Sequence, residues 1–208
     1  MNLFMSVFKI KTTIEANCDL LYVPTTVLTA YNLRVPTLLS MHDIQQYHYP
    51  EFFTKSELKR RRLTFENSAR NASYFQASSQ FIKDDILQHF NWINENQIVV
   101  ISEGVDIDTF SNVSSQSVIT KHQLPKQFLF LPAQLWKHKN HITILRALKK
   151  IANESDIRIP LVMTGAKYSG SAEALNFIKD NNMDYVYYLG KVDFSDLLGL
   201  YKEARYLI

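Results

Sequence analysis

Seven short, mainly apolar runs punctuate this chain, at 20–23, 37–40, 74–77, 98–101, 128–131, 161–163 and 186–189. A strand with one wet face alternates apolar and polar residues, whereas a continuous run needs cover on both faces, the arrangement of parallel strands packed between helices. The stretches between them supply those helices. Residues 58–72, 80–89, 141–152, 172–181 and 194–204 carry apolar side chains at three- and four-residue spacing. In the third, Ile142, Leu145, Leu148 and Ile151 are assigned to one face, with Asn140 as its cap. The pattern predicts an α/β chain. Ser- and Asn-rich residues 111–117, running on to Pro125, read as a linker at 113–126 between a first α/β part, 1–112, and a second, 127–208. Residues 204–208 open an apolar strand that stops in mid-run, so both parts are expected to be incomplete and more chain is expected beyond Ile208.

Of 208 residues, 46% are hydrophobic and 21% charged, a globular composition, and 23 Lys and Arg against 20 Asp and Glu give a net charge of +3. That balance lacks the concentrated basic surface of a nucleic-acid binder, and no nucleic-acid partner is expected. The single Cys18 forms no internal disulfide, and no Cys/His cluster has metal spacing in the sequence, which together predict a reducing, cytoplasmic setting without a metal. Residues 1–10 are apolar but interrupted by Asn2, Ser6 and Lys9, and are read as neither a signal peptide nor a membrane span.

Three stretches carry candidate chemistry. In 128–141 a buried run leads to Lys137, His138 and Lys139 and then to a helix opening at Asn140. A helix start with adjacent ammonium groups suits a diphosphate, and a plain solvated basic turn is the equal alternative. In 39–53 a strand end delivers His42 and Asp43, placed for acid, base or hydrogen-bond duty, with capping of the following turn as the competing role. In 98–110 a strand is followed by Gly104, Asp106 and Asp108, which read as a structural crossing; two carboxylates alone argue little for a metal. Gly165 and Gly190 each close a strand, as where backbone must approach a ligand or a helix. The basic run 59–62 reads as a solvated helix face, with peripheral contact to anionic lipid as the second reading.

In order and spacing these segments resemble glycosyltransferase family 4: the HD loop with YPEFF (42–53), ASSQFIKDDI (77–86), VVISEGVDIDTF (99–110), PAQLWKHKNH (132–141), LVMTG (161–165) and YYLGKVDFSDLLGLYKEARYLI (187–208). The resemblance implies a GT-B fold of two Rossmann-like parallel-sheet domains, the first holding an acceptor and the second a nucleotide sugar. It assigns His42, with Asp43 beside it, to the reacting centre, and Lys139 with Asn140 to the donor diphosphate. Gln134 stands where many members carry arginine, leaving Lys137 as the substitute, and Gly165 lies at a neighbouring strand end. Gly190, Lys191 and Val192 correspond to backbone that frames the base, and Glu103 replaces the usual Asn of the crossing.

The same resemblance implies a retaining transfer of a sugar, with mannose as the first guess, from a nucleoside diphosphate to a glycan or lipid-linked acceptor. It implies no metal or cofactor, and a setting in the cytoplasm or at the inner membrane face. The family's N-terminal glycine-rich loop and its glutamate pair have no counterpart in these 208 residues, so the chain alone is expected to be inactive. A non-catalytic binding module and an α/β epimerase are the competing classes.

Overall fold

A computed structural model describes residues 17–111 and 116–208, which divide into two compact units, 1–105 and 106–208. The first unit is built on a parallel sheet of β1 (Leu21–Val23), β2 (Thr37–Met41), β3 (Tyr74–Ala77) and β4 (Ile98–Val100), in that order. Its helices fully within the described residues include α1 (Gln45–His48), α2 (Lys55–Asn71) and α3 (Gln80–His89). Leu39, Met41, Phe75, Ala77, Ile86 and Phe90 are fully buried at its centre. Two-sided cover holds for the inner strands, since β2 is buried along most of its length; the edge strands β1 and β4 expose Tyr22, Val99 and Val100. Helix α2 starts where Thr54 accepts the Glu57 N–H while Glu57 accepts the Thr54 N–H at 2.8 Å, a reciprocal cap.

The second unit contains α4 (Ile107–Ser111), α5 (Gln116–Lys121), β5 (Leu129–Pro132), α6 (His141–Ser155), β6 (Leu161–Thr164), α7 (Ser171–Asp180), β7 (Val186–Gly190), α8 (Phe194–Glu203) and β8 (Tyr206–Leu207). Its parallel sheet has the order β7-β6-β5-β8. One cluster, including Leu131, Leu145, Leu161 and Met163, lies under α6 and α7; another joins Val118, Phe128, Phe130, Val162 and Leu200. Each central strand thus sends alternate side chains into opposite layers.

Three local expectations change. The buried face of α6 is His141, Leu145 and Leu148, with Ile144 and Ala152 packed beside them, while Ile151 is 37% exposed. Steps of three residues drift around a helix of 3.6 per turn, whereas alternating four and three stays on one face. Asn140 occupies the cap position in a left-handed conformation, φ 53°, and its side-chain oxygen accepts from the Thr143 hydroxyl rather than from a backbone N–H. Within the span read as a linker, Gln116–Lys121 is helical and its Val118 is buried.

Candidate functional site

In the second unit the strand order reverses at β5, for β6 follows it on one side and β8 lies on the other. Ligand crevices of open α/β sheets form outside the carboxyl ends of strands at such a switch point. The loop leaving β5 there is anchored rather than loose. Leu135 is fully buried, donates its N–H to Ala166 at 3.0 Å and accepts from Gly170 at 2.9 Å. Trp136 stacks on Tyr168 at 3.8 Å between ring centres and donates its indole N–H to Gln134 Oε1 at 2.9 Å. Lys137–Lys139 then form one tight 3-10 turn, closed by the left-handed Asn140.

Lys137 and Lys139 are exposed on that turn, and neither forms an ion pair among the described residues. His141, the first residue of α6, is buried beneath it and donates Nε2–H to the Ala133 carbonyl at 3.2 Å. Burial pushes its pKa down; the bond to Ala133 opposes this, and the Lys139 charge adds to the lowering.

The neighbouring strand ends close on this loop. Gly165 has φ +128°, and a Cβ there would lie 2.5 Å from the Ala133 carbonyl oxygen. It donates its N–H to the Gly190 carbonyl at 2.8 Å and accepts the Tyr188 hydroxyl at 2.8 Å. Gly190 has φ +70° with open space where a Cβ would stand. Gln134, Lys137, Lys139 and Asn140 therefore share one loop, with Gly165 and Gly190 joined directly to each other at the adjacent strand ends. Lys191 is exposed, and Val192 packs onto the cluster around Phe128 and Phe130.

In the first unit His42 follows β2, half exposed. Its Nε2 lies 3.0 Å from the Pro24 carbonyl, to which it donates, and its Nδ1 is 3.4 Å from Glu103 Oε1. Asp43 accepts the Gln45 N–H at 3.4 Å at the start of α1 and stands 3.8 Å from Arg61, so its contacts are those of a turn cap. Asp106 caps α4: hydrogen bonds from the Thr109 hydroxyl, at 2.6 Å, and from the Thr109 N–H hold its carboxyl below the usual range. Lys59, Arg60 and Arg62 of the basic run are exposed, as a solvated face requires, while the half-buried Arg61 lies over Phe53 and Phe65.

A cluster that sequence spacing did not reveal also lies here. His48 on α1 and Asp85 and His89 on α3 bring their side-chain nitrogens and oxygen within 4.8 Å of one another. Asp85 and His89 are one helical turn apart, a spacing visible in the sequence, but His48 joins them only through the packing of a separate helix.

A model of Glycosyltransferase Family 4 matches residues 3–109, just over half of the 208. The chain belongs to glycosyltransferase family 4. No curated protein sequence matches it. Among solved structures, HepE from Anabaena, determined with UDP and glucose, superposes with a TM-score of 0.73 at 20% identity, covering 100% of this chain and 57% of that one. A glycosyltransferase from Rickettsia africae gives 0.67 at 18%, covering 99% and 55%. The UDP-GlcNAc 2-epimerase from Methanocaldococcus jannaschii gives 0.58 at 13%, covering 99% and 60%. These likenesses establish the α/β GT-B fold, two parallel sheets with helices, and the family 4 chain spans a little over half the length of the transferases it resembles. Among its described residues no helix is long and apolar enough to cross a membrane.

Proposed function

We propose that the 106–208 unit is the donor-side half of a retaining glycosyltransferase and takes the diphosphate of a nucleotide sugar at the loop following β5. The observation that carries this reading is the pair of exposed ammonium groups, Lys137 and Lys139, on a tightly anchored turn at the switch point of the sheet, directly ahead of a 15-residue helix. Fixed positive groups and a helix start stabilise charge on a departing diphosphate without reorganising as the bond breaks. That HepE was solved with UDP and glucose supports a nucleotide sugar as the ligand class. His42 is assigned to the reacting sugar, a glycan or lipid-linked molecule is the acceptor, and mannose is the first donor sugar to try. The chemistry needs no metal in this reading, and the setting is cytoplasmic or at the inner membrane face. Sharing about 55% of the length of its relatives, the 208-residue chain should bind donor weakly and not turn it over by itself.

Titration of the chain with UDP, GDP and ADP, followed by the fluorescence of Trp136 and by NMR, tests the reading. At least one nucleotide should saturate the signal, and Lys139→Ala should weaken it about tenfold, the loss of one charge-assisted contact of about 1.4 kcal/mol. Equal affinity in Lys139→Ala, or no response to any of the three by a folded chain, would remove the proposed role of the loop.

A further inference from the structure

We infer that His48, Asp85 and His89 constitute a binding site for one divalent transition metal of the zinc class, which fastens α1 to α3. His48 Nε2 lies 2.8 and 2.9 Å from the two oxygens of Asp85, and His89 Nδ1, which donates to the Asp85 backbone carbonyl at 3.0 Å, lies 3.2 Å from Asp85 Oδ1. Ligand atoms about 2.0–2.2 Å from a tetrahedral zinc stand roughly 3.3–3.5 Å apart, so small side-chain rotations convert this contact set into a coordination set. Asp85 is only 6% exposed, and no Lys or Arg pairs with it among the described residues. Asp196 provides the contrast. It also sits beside a histidine, but Lys121 holds its Oδ2 at 2.8 Å, and an ammonium there opposes a second cation.

The imidazoles are oriented by packing. The His48 and His89 ring centres lie 5.2 Å apart, and Tyr47 is 5.0 Å from His89. A carboxylate only accepts hydrogen bonds, so the ring nitrogens facing Asp85 carry protons when no metal is bound. A metal ion takes the place of those protons, which pass to the other nitrogen of each ring. Two nitrogens and one oxygen suit Zn²⁺, Cu²⁺ or Ni²⁺ better than Mg²⁺ or Ca²⁺, which prefer oxygen ligands. The part-exposed His48 side chain leaves an entry path from solvent, from which water would supply a fourth ligand. Helix α1 starts just after the His42–Asp43 turn, so the metal would brace that turn through a structural route, independently of any sugar transfer.

The chelator-stripped 208-residue chain, titrated with Zn²⁺ by calorimetry and with Co²⁺ by visible absorption, should bind one equivalent, give the ligand-field bands of four-coordinate cobalt and gain Tm. Excess Mg²⁺ should not displace it. His48→Ala, at a part-exposed position, should weaken Zn²⁺ binding by at least about 100-fold, beyond the roughly 10–100-fold that follows the loss of an outer-shell partner. His89→Gln should do the same, while His122→Ala changes nothing; circular dichroism of each stripped variant separates a lost ligand from a lost fold. Failure of the folded wild-type chain to bind Zn²⁺ overturns the site, as does a folded His48→Ala that binds as tightly as wild type or an equivalent of metal that disappears in His122→Ala.

Discussion

A Cβ on Gly165 would meet the carbonyl oxygen of Ala133 at 2.5 Å, so the ends of β5 and β6 approach as closely as backbone allows. At φ +128° the position also lies where side-chain-bearing residues are strained. Gly165→Ala should therefore cost at least about 2 kcal/mol and disturb the Trp136 loop, seen as a lower denaturation midpoint with altered tryptophan fluorescence. Gly190→Ala meets no atom within 4 Å and should cost only the left-handed backbone penalty, about 1 kcal/mol. Equal losses for the two would mean that contact with Ala133 does not matter.

His141 gives the fold a pH dependence of definite sign. Its folded pKa is pushed below the unfolded value near 6.5, so in the window beneath about 6.5 the unfolded chain binds more protons and stability falls as pH falls. His141→Gln keeps a donor toward Ala133 but cannot titrate. The stability difference between wild type and His141→Gln should shift against the wild type as pH is lowered from 7 to 5, measured by urea unfolding; a difference independent of pH would contradict a buried neutral imidazole.

Asp196 acts in a different window. Burial alone would raise its pKa, but hydrogen bonds from Lys121 and His122, helped by their charges, outweigh it and hold the carboxyl below its ordinary value. A lowered folded pKa contributes stability that is complete above the unfolded value near 3.9 and is lost as pH falls through the folded one. Asp196→Asn should cost about 1–3 kcal/mol at pH 7 by loosening α5 from α8, with Lys121's share kept small by its exposure. That cost should shrink below pH 4 in acid titrations followed by circular dichroism.

The sequence carried the element pattern well where burial is two-sided and caps are strong. The observed β3 at Tyr74–Ala77 and α3 at Gln80–His89 coincide with the expected ranges, because the apolar run ends at Ala77 and is followed by Ser79, whose hydroxyl accepts the Ile82 N–H. Helix α5 is not legible in the sequence because six residues, with Val118 buried among the described side chains, are too short for a periodic signal. The Lys137–Asn140 loop was legible as local composition, but the Trp136–Tyr168 stack joins residues from two loops. The His48–Asp85–His89 cluster joins two helices in the same way, and single-sequence spacing records neither.

Helix α6 offers a direct comparison between spacing and packing. Leu145 is completely buried against β5 and β6 partners including Leu131, Leu161 and Met163, whereas Ile151 lies on the flank. Leu145→Ala removes buried methylenes and leaves a cavity, costing about 2–5 kcal/mol. Ile151→Ala deletes a side chain that is 37% exposed and gains helix propensity, so it should cost much less than Leu145→Ala, about 1 kcal/mol. Thermal unfolding of both variants checks the assignment. Comparable losses would place Ile151 in the core and restore a face built on three-residue steps; a clearly larger loss at Leu145 fixes the face that seats the first turn of α6, and with it His141, beneath the Lys137–Lys139 loop.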